Sequence, residues 1–178
     1  RYGPALLIAG LAQQREHILL IGLNGDSLNF LSGASMDHIR DRAAEGTLLA
    51  HSQGGLFTVN AVLEHPENVK AVVLVESSST IDVDKTDVSA FKDIPFLFVW
   101  GDFLGEEYCT PDYRWIGDFA YQGTMRRLHA RINELGGDST WMHLPEMGIC
   151  GNTHAMMQET NSRQIADLVC DWLKSHVK

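Results

Sequence analysis

The stretch Thr47-Leu48-Leu49-Ala50-His51-Ser52-Gln53-Gly54-Gly55 limits what this chain can fold into more than any other. A short apolar run stops at a serine, and glycines follow at once. Strand-to-helix turns that hold a serine up as a nucleophile follow the pattern G-x-S-x-G. Here the pattern reads Ala50-His51-Ser52-Gln53-Gly54, with Ala in place of the first Gly. The backbone at such a serine is strained, so side chains two residues to either side must be small. Ala meets that demand nearly as well as Gly. Taken alone, the pentapeptide fits an ordinary tight turn equally well.

The flanking sequence favours the elbow. Leu56, Val59 and Leu63 follow at helical spacing. Ala71-Val72-Val73-Leu74-Val75 then reads as a strand buried on both faces, as in a parallel sheet. Further along, the pattern predicts a helix over 53–64 stopped by His65-Pro66, strands over 70–75 and 95–100, and a polar loop over 77–93. A long helix over 116–135 closes at Gly136-Gly137. A last strand over 140–144, a loop over 145–153 and a terminal helix with Ile165, Leu168, Val169, Trp172 and Leu173 on one face complete the chain. Upstream, Ala5–Ala9 and Ile18–Leu23 are apolar runs of which at least one is a strand, and Asp26 or Ser27 caps a helix reaching about Glu45. The aromatic and acidic segment 103–115 reads as an excursion, either a pocket wall or a packed surface loop.

Strands alternating with helices imply an α/β fold with a mainly parallel sheet and flanking helices. The 178 residues, 44% of them hydrophobic, suffice for one domain over 1–178 with a real core. A net charge of −9 disfavours nucleic acid and anionic membranes as partners. No apolar stretch approaches membrane-spanning length, and no signal-peptide pattern is visible. The three cysteines lie too far apart for a disulfide scaffold, and His143, Cys150 and His154 lack metal-ligand spacing. No metal or cofactor is expected.

In open α/β sheets, ligands sit beyond the carboxyl ends of the strands. Ser52, Glu76 and Asp102 all lie just past predicted strand ends. A serine hydroxyl needs a base, and a histidine base needs a carboxylate to fix its tautomer. Of the eight histidines, His129, His143, His154 and His176 follow the first plausible acid. His129 is expected on a helix surface, His143 inside a strand and His176 in the last turn of the chain. That leaves His154, in the loop Gly151-Asn152-Thr153-His154. For the acid, Glu76 follows a buried run and would need a partner. Asp102 could equally serve, or could shape the turn after Gly101 through its side chain. The residues alone leave both open. Met156 and Met157 beside His154, with His51, are either an apolar pocket or, for the methionines, the start of the core.

These residues resemble the α/β-hydrolase superfamily. The similarity is closest to a branch of bacterial serine esterases whose acid is a glutamate after the strand following the elbow. It is carried by Ala50–Gly54, Val75-Glu76, Ile94-Pro95 through Gly101-Asp102, and Leu144-Pro145 with Gly148 and Gly151-Asn152-Thr153-His154-Ala155-Met156-Met157-Gln158. The resemblance implies Ser52 as nucleophile, Glu76 as acid in preference to Asp102, His154 as base, and the backbone N–H of Gln53 as one oxyanion donor. It implies a carboxylic ester hydrolase without cofactor, acting on a small-molecule ester through an acyl-enzyme. An acyltransferase or thioesterase would use the same groups. The resemblance runs from about Gly46 to the C-terminus. No His-Gly dipeptide and no glycine cluster precedes the elbow to supply a second oxyanion donor. The chain is therefore expected to lack N-terminal strands of the full fold, as a C-terminal portion or a shortened relative. A non-catalytic module, and self-association through an exposed sheet edge, follow as further expectations.

Overall fold

The computed structural model describes residues 18–21, 46–102 and 119–177. The predicted elements at 5–9, 26–45 and 103–115, and the first residues of the helix expected from 116, lie outside them. Strands β1 (Ile18–Ile21), β2 (Gly46–His51), β3 (Val69–Val75), β4 (Phe96–Trp100) and β5 (Ser139–His143) form a five-stranded sheet in the order β1-β2-β3-β4-β5. Every pairing is parallel. Parallel neighbours need crossovers rather than hairpins. Helix α1 (Gly54–Glu64) links β2 to β3, α2 (Phe119–Glu134) precedes β5, and α3 (Ser162–His176) ends the chain.

Successive residues of a strand face opposite sides of the sheet, which explains why β3 and β4 are apolar at nearly every position. Leu48, Ala50, Val72, Leu74, Phe96, Phe98 and Trp100 join Val59 and Val62 of α1 and Met125, Leu128 and Ile132 of α2 in one core. The intervening residues Leu49, Val73, Val75, Leu97 and Val99 pack with Ile165, Val169, Trp172 and Leu173 of α3 in the other. Strand β5 is half-buried along its whole length, as befits the outer position. The C-terminus of α2 ends where the glycines foretell: Gly136 has φ +81°, and Gly137 N–H donates to the Ile132 carbonyl at 3.0 Å.

Two expectations need correction. The segment 77–93, read as a polar loop, carries Val83, Val88 and Phe91 into the first core, and it ends in a 3-10 turn over Ser89–Asp93. Its apolar residues follow no regular period, so their burial leaves no pattern in the sequence. His129 is not a plain surface residue either. Its Nδ1 lies 2.8 Å from Ser139 Oγ and its ring packs edge-on to Phe98.

Gly55 sits in the first turn of α1 with Ser77 and Ser78 pressed against it. A Cβ there would come within 2.6 Å of Ser77 Cβ and 2.8 Å of the Ser78 carbonyl oxygen. Helix propensity favours alanine over glycine by about 1 kcal/mol, but the obstruction includes backbone. Gly55→Ala is therefore expected to destabilise the fold by about 1–3 kcal/mol in urea unfolding. A stabilised variant would show that the contact between α1 and the turn after β3 yields.

Candidate active site

Beyond the carboxyl ends of β2, β3 and β4 the chain places Ser52, Glu76 and Gly101-Asp102 side by side. Ser52 has φ +56° and Glu76 φ +47°. Left-handed backbone at a non-glycine residue costs of order 1–3 kcal/mol, so each must be held. Ser52 N–H donates to the Val75 carbonyl at 3.2 Å, and Ser78 N–H donates to the Ser52 carbonyl at 3.0 Å. The Ser77 hydroxyl donates to the Ala50 carbonyl at 3.0 Å. Glu76 N–H donates to the Val99 carbonyl at 2.9 Å. The residue pair Ser77-Ser78 thus clasps the turn at Ser52. The only sequence signal for it is a run of small polar residues directly after a buried strand.

The loop after β5 brings His154 between the other two. Ser52 Oγ lies 2.8 Å from His154 Nε2, and His154 Nδ1 lies 3.3 Å from Glu76 Oε2. A carboxylate accepts only, so Nδ1 carries the proton and Nε2 is left to accept from the serine hydroxyl. The Glu76 side chain is 1% exposed and that of His154 38%. Glu76 Oε1 accepts from Gly101 N–H at 2.5 Å. Glycine is required there: a Cβ on residue 101 would fall 2.6 Å from the Asn152 carbonyl oxygen and 3.0 Å from Glu76 Oε1.

Asp102 does not reach the imidazole. Its Oδ2 accepts from Asn152 N–H at 2.8 Å, and its own N–H donates to the Asn152 carbonyl at 3.0 Å. The expected local turn role is replaced by a clamp on the loop that carries His154. His143 pairs with Glu146 at 3.1 Å, and His176 Nδ1–H donates to the Trp172 carbonyl at 2.7 Å.

His51 Nε2 is 2.6 Å from the His154 carbonyl oxygen, and the two imidazole rings are 4.7 Å apart. Burial pulls the His51 pKa down to about 4, outweighing the upward pull of that hydrogen bond; repulsion from His154 lowers it further. Met156 is in the second core at 1% exposure, and Met157 packs against it half-buried. Both line a small apolar cavity with Leu49, Val75, Ile165 and Val169. Met156 therefore serves as core. Gln53 caps α1 with φ −62° and ψ −20°. Its N–H lies at a helix start, where donors have no intrahelical partner. Among the described residues, no group of His, Cys, Asp or Glu is arranged to hold a metal, and no helix is long and apolar enough to cross a membrane.

Residues 36–101 match a protein family described as alpha/beta hydrolase fold. The solved structure of a bacterial esterase superposes with a TM-score of 0.70 at 31% identity, over 81% of this chain and 43% of that one. A thermostable esterase superposes with a TM-score of 0.50 at 17% identity, over 89% of this chain and 38% of that one, which speaks for the fold alone. The chain thus spans less than half the length of these structures. Short segments also match glucose-6-phosphate isomerases. In Lactobacillus gasseri the match is 48% identical over 42 residues, 24% of this chain and 9% of the isomerase. In Exiguobacterium sibiricum it is 46% over 57 residues, 30% and 12% respectively. Such segments cover too little of either protein to carry an activity across. The parallel sheet, the family match and the esterase superposition together give the chain an α/β-hydrolase fold.

The half-buried, neutral His51 has a consequence for stability. Its pKa is about 4 folded against 6.5 as the ordinary value, so unfolding takes up a proton between those pH values. Stability therefore rises with pH across that window and is lost as pH falls, by roughly 3 kcal/mol at most from this group. Urea unfolding from pH 7 to 4 is expected to show a shallower loss in His51→Gln than in the unaltered chain. Parallel curves would mean that His51 titrates normally.

Proposed function

We propose that this α/β-hydrolase is a serine esterase that cleaves small carboxylic esters through an acyl-enzyme on Ser52. The observation that carries the reading is the continuous hydrogen-bonded line from Ser52 Oγ through His154 to the buried Glu76 carboxylate. It is supported by the left-handed backbone at Ser52 and by the likeness to a bacterial esterase.

In this reading Ser52 Oγ attacks the ester carbonyl carbon as His154 Nε2 takes the hydroxyl proton. Glu76 keeps Nδ1 protonated and stabilises the imidazolium that forms. The carbonyl oxygen becomes an oxyanion facing Gln53 N–H at the positive end of α1, where a helix favours negative charge. The carbon–oxygen bond to the alcohol breaks, and Nε2–H gives its proton to the departing alkoxide. Water then gives a proton to Nε2 as its oxygen attacks the acyl carbon. Collapse returns the proton to Ser52 and releases the acid.

Asp102 is a brace for the loop in this scheme, and Glu76 is the acid. A fluorophosphonate probe, with mass spectrometry to locate the label, is expected to modify Ser52. Glu76→Gln should slow labelling and p-nitrophenyl acetate turnover by about a hundredfold or more. Asp102→Asn should leave both largely intact, because its amide oxygen can still accept from Asn152 N–H. Equal losses in the two variants would reassign the acid. No labelling of the folded chain would support a module that is inactive by itself. Product partition between water and an added alcohol separates esterase from acyltransferase.

A further inference from the structure

We infer that His51 is a positioning residue for the proposed acyl transfer, holding the main chain of His154 so that the imidazole stays in place while Ser52 is acylated. The inference rests on the esterase reading above. A carbonyl oxygen only accepts, so the 2.6 Å contact between His51 Nε2 and the His154 carbonyl fixes the proton of His51 on Nε2. The residue just before the serine on β2 thereby grips the backbone of the residue that serves as base. Packing of the two rings, 4.7 Å apart and tilted by 39°, leaves the imidazole of His154 little room to swing towards its neighbour.

The timing of the hydrogen bonds makes this grip matter more in one half of the reaction. Before attack, three contacts hold His154: Ser52 Oγ–H at 2.8 Å, Glu76 at 3.3 Å and His51 at 2.6 Å. Once Ser52 is acylated, its Oγ has no proton to donate, and the first contact is lost. Among the described residues, the ring is then held by a long bond to Glu76 and by packing against His51, and its backbone by the short bond from His51. Asp102 clamps the same loop, but two residues upstream at Asn152. His154 must keep its place until water arrives, since small displacements of a reacting group are costly. His51 also has to be neutral, because a second cation at this distance would oppose the imidazolium. Its burial lowers its pKa to about 4 and keeps it so.

The role predicts a split between rate constants that a purely structural role does not. With p-nitrophenyl acetate, whose phenolate leaves readily, deacylation is the step expected to limit kcat, whereas kcat/KM reports steps up to acylation. Steady-state and burst kinetics with p-nitrophenyl acetate should therefore show His51→Met lowering kcat and KM together, with deacylation slowed by roughly tenfold or more and kcat/KM little changed. His51→Gln, whose side-chain amide can still donate, should recover most of the deacylation rate. A fall in kcat/KM with deacylation unchanged, or no recovery by Gln, overturns the inference. Imidazole nitrogen spectra of the unaltered chain give a test that needs no variant to fold. They should show His51 neutral and protonated on Nε2 at pH 6, and an Nδ1–H tautomer would overturn the inference. A wild-type chain without turnover overturns the esterase reading and this role with it, whereas an active wild type with an unaffected His51→Met overturns this role alone.

Discussion

A carboxylate shut away from water dictates the geometry at the carboxyl end of this sheet. Removing Glu76 from solvent is costly unless its oxygens find donors. One oxygen takes the Gly101 N–H and the other faces His154 Nδ1. Neither donor is local: one stands at the end of β4, the other on the loop after β5. The carboxylate can be buried only if β3, β4 and that loop meet within hydrogen-bonding distance. Residue 101 can make this approach only as glycine, because a side chain would strike Asn152 and the carboxylate itself. One buried charge thus sets a strand end, a residue type and the path of a loop more than fifty residues away in sequence.

The strain at the site is borne by the best-packed part of the molecule. Ser52 and Glu76, the non-glycine residues with positive φ among the described residues, directly follow β2 and β3. Those strands lie in the sheet interior, covered on both faces by the two cores. The carbonyls that receive the main-chain N–H groups of Ser52 and Glu76, those of Val75 and Val99, belong to β3 and β4. Interior strands with low exposure open rarely, so the left-handed backbone at both residues is held by elements that do not fray. This is a general way for a fold to maintain an unfavourable conformation at a site without loosening elsewhere.

Much of the architecture was legible because parallel strands covered on both faces read as unbroken apolar runs. Val69–Val75 and Phe96–Trp100 stand out for that reason, and the apolar face of α3 shows in its helical spacing. The serine turn was legible from spacing and small residues. The choice between Glu76 and Asp102 was not, on residues alone. Both follow buried strands, and nothing in composition says which side chain turns toward the histidine. The difference lies in the chain direction at each residue and in a partner, Asn152, on a loop far along the sequence. His51 was seen only as a possible pocket residue for the same reason: its partner is a backbone carbonyl, which leaves no trace in a sequence. The burial of Val83, Val88 and Phe91 was hidden by irregular spacing.

His154 shows how a residue on an irregular loop can be placed as firmly as one on a strand. Loops have few internal hydrogen bonds, so their precision has to come from outside. Here the fixing groups arrive from successive strand ends. His51 and Ser52 come from the end of β2, Glu76 from that of β3, and Asp102 from that of β4. They also act on different parts of the loop: on the ring nitrogens, on the carbonyl of residue 154, and on the main chain of residue 152. A side chain held only by its ring could keep its hydrogen bonds while its backbone drifted, and a backbone held alone would leave χ angles free. With both constrained, the imidazole has a defined position and a defined tautomer. The two acids near the site follow the same logic. The longer one reaches the ring, the shorter one grips the main chain, and the fold spends both carboxylates on a single histidine without bringing their charges into competition for it.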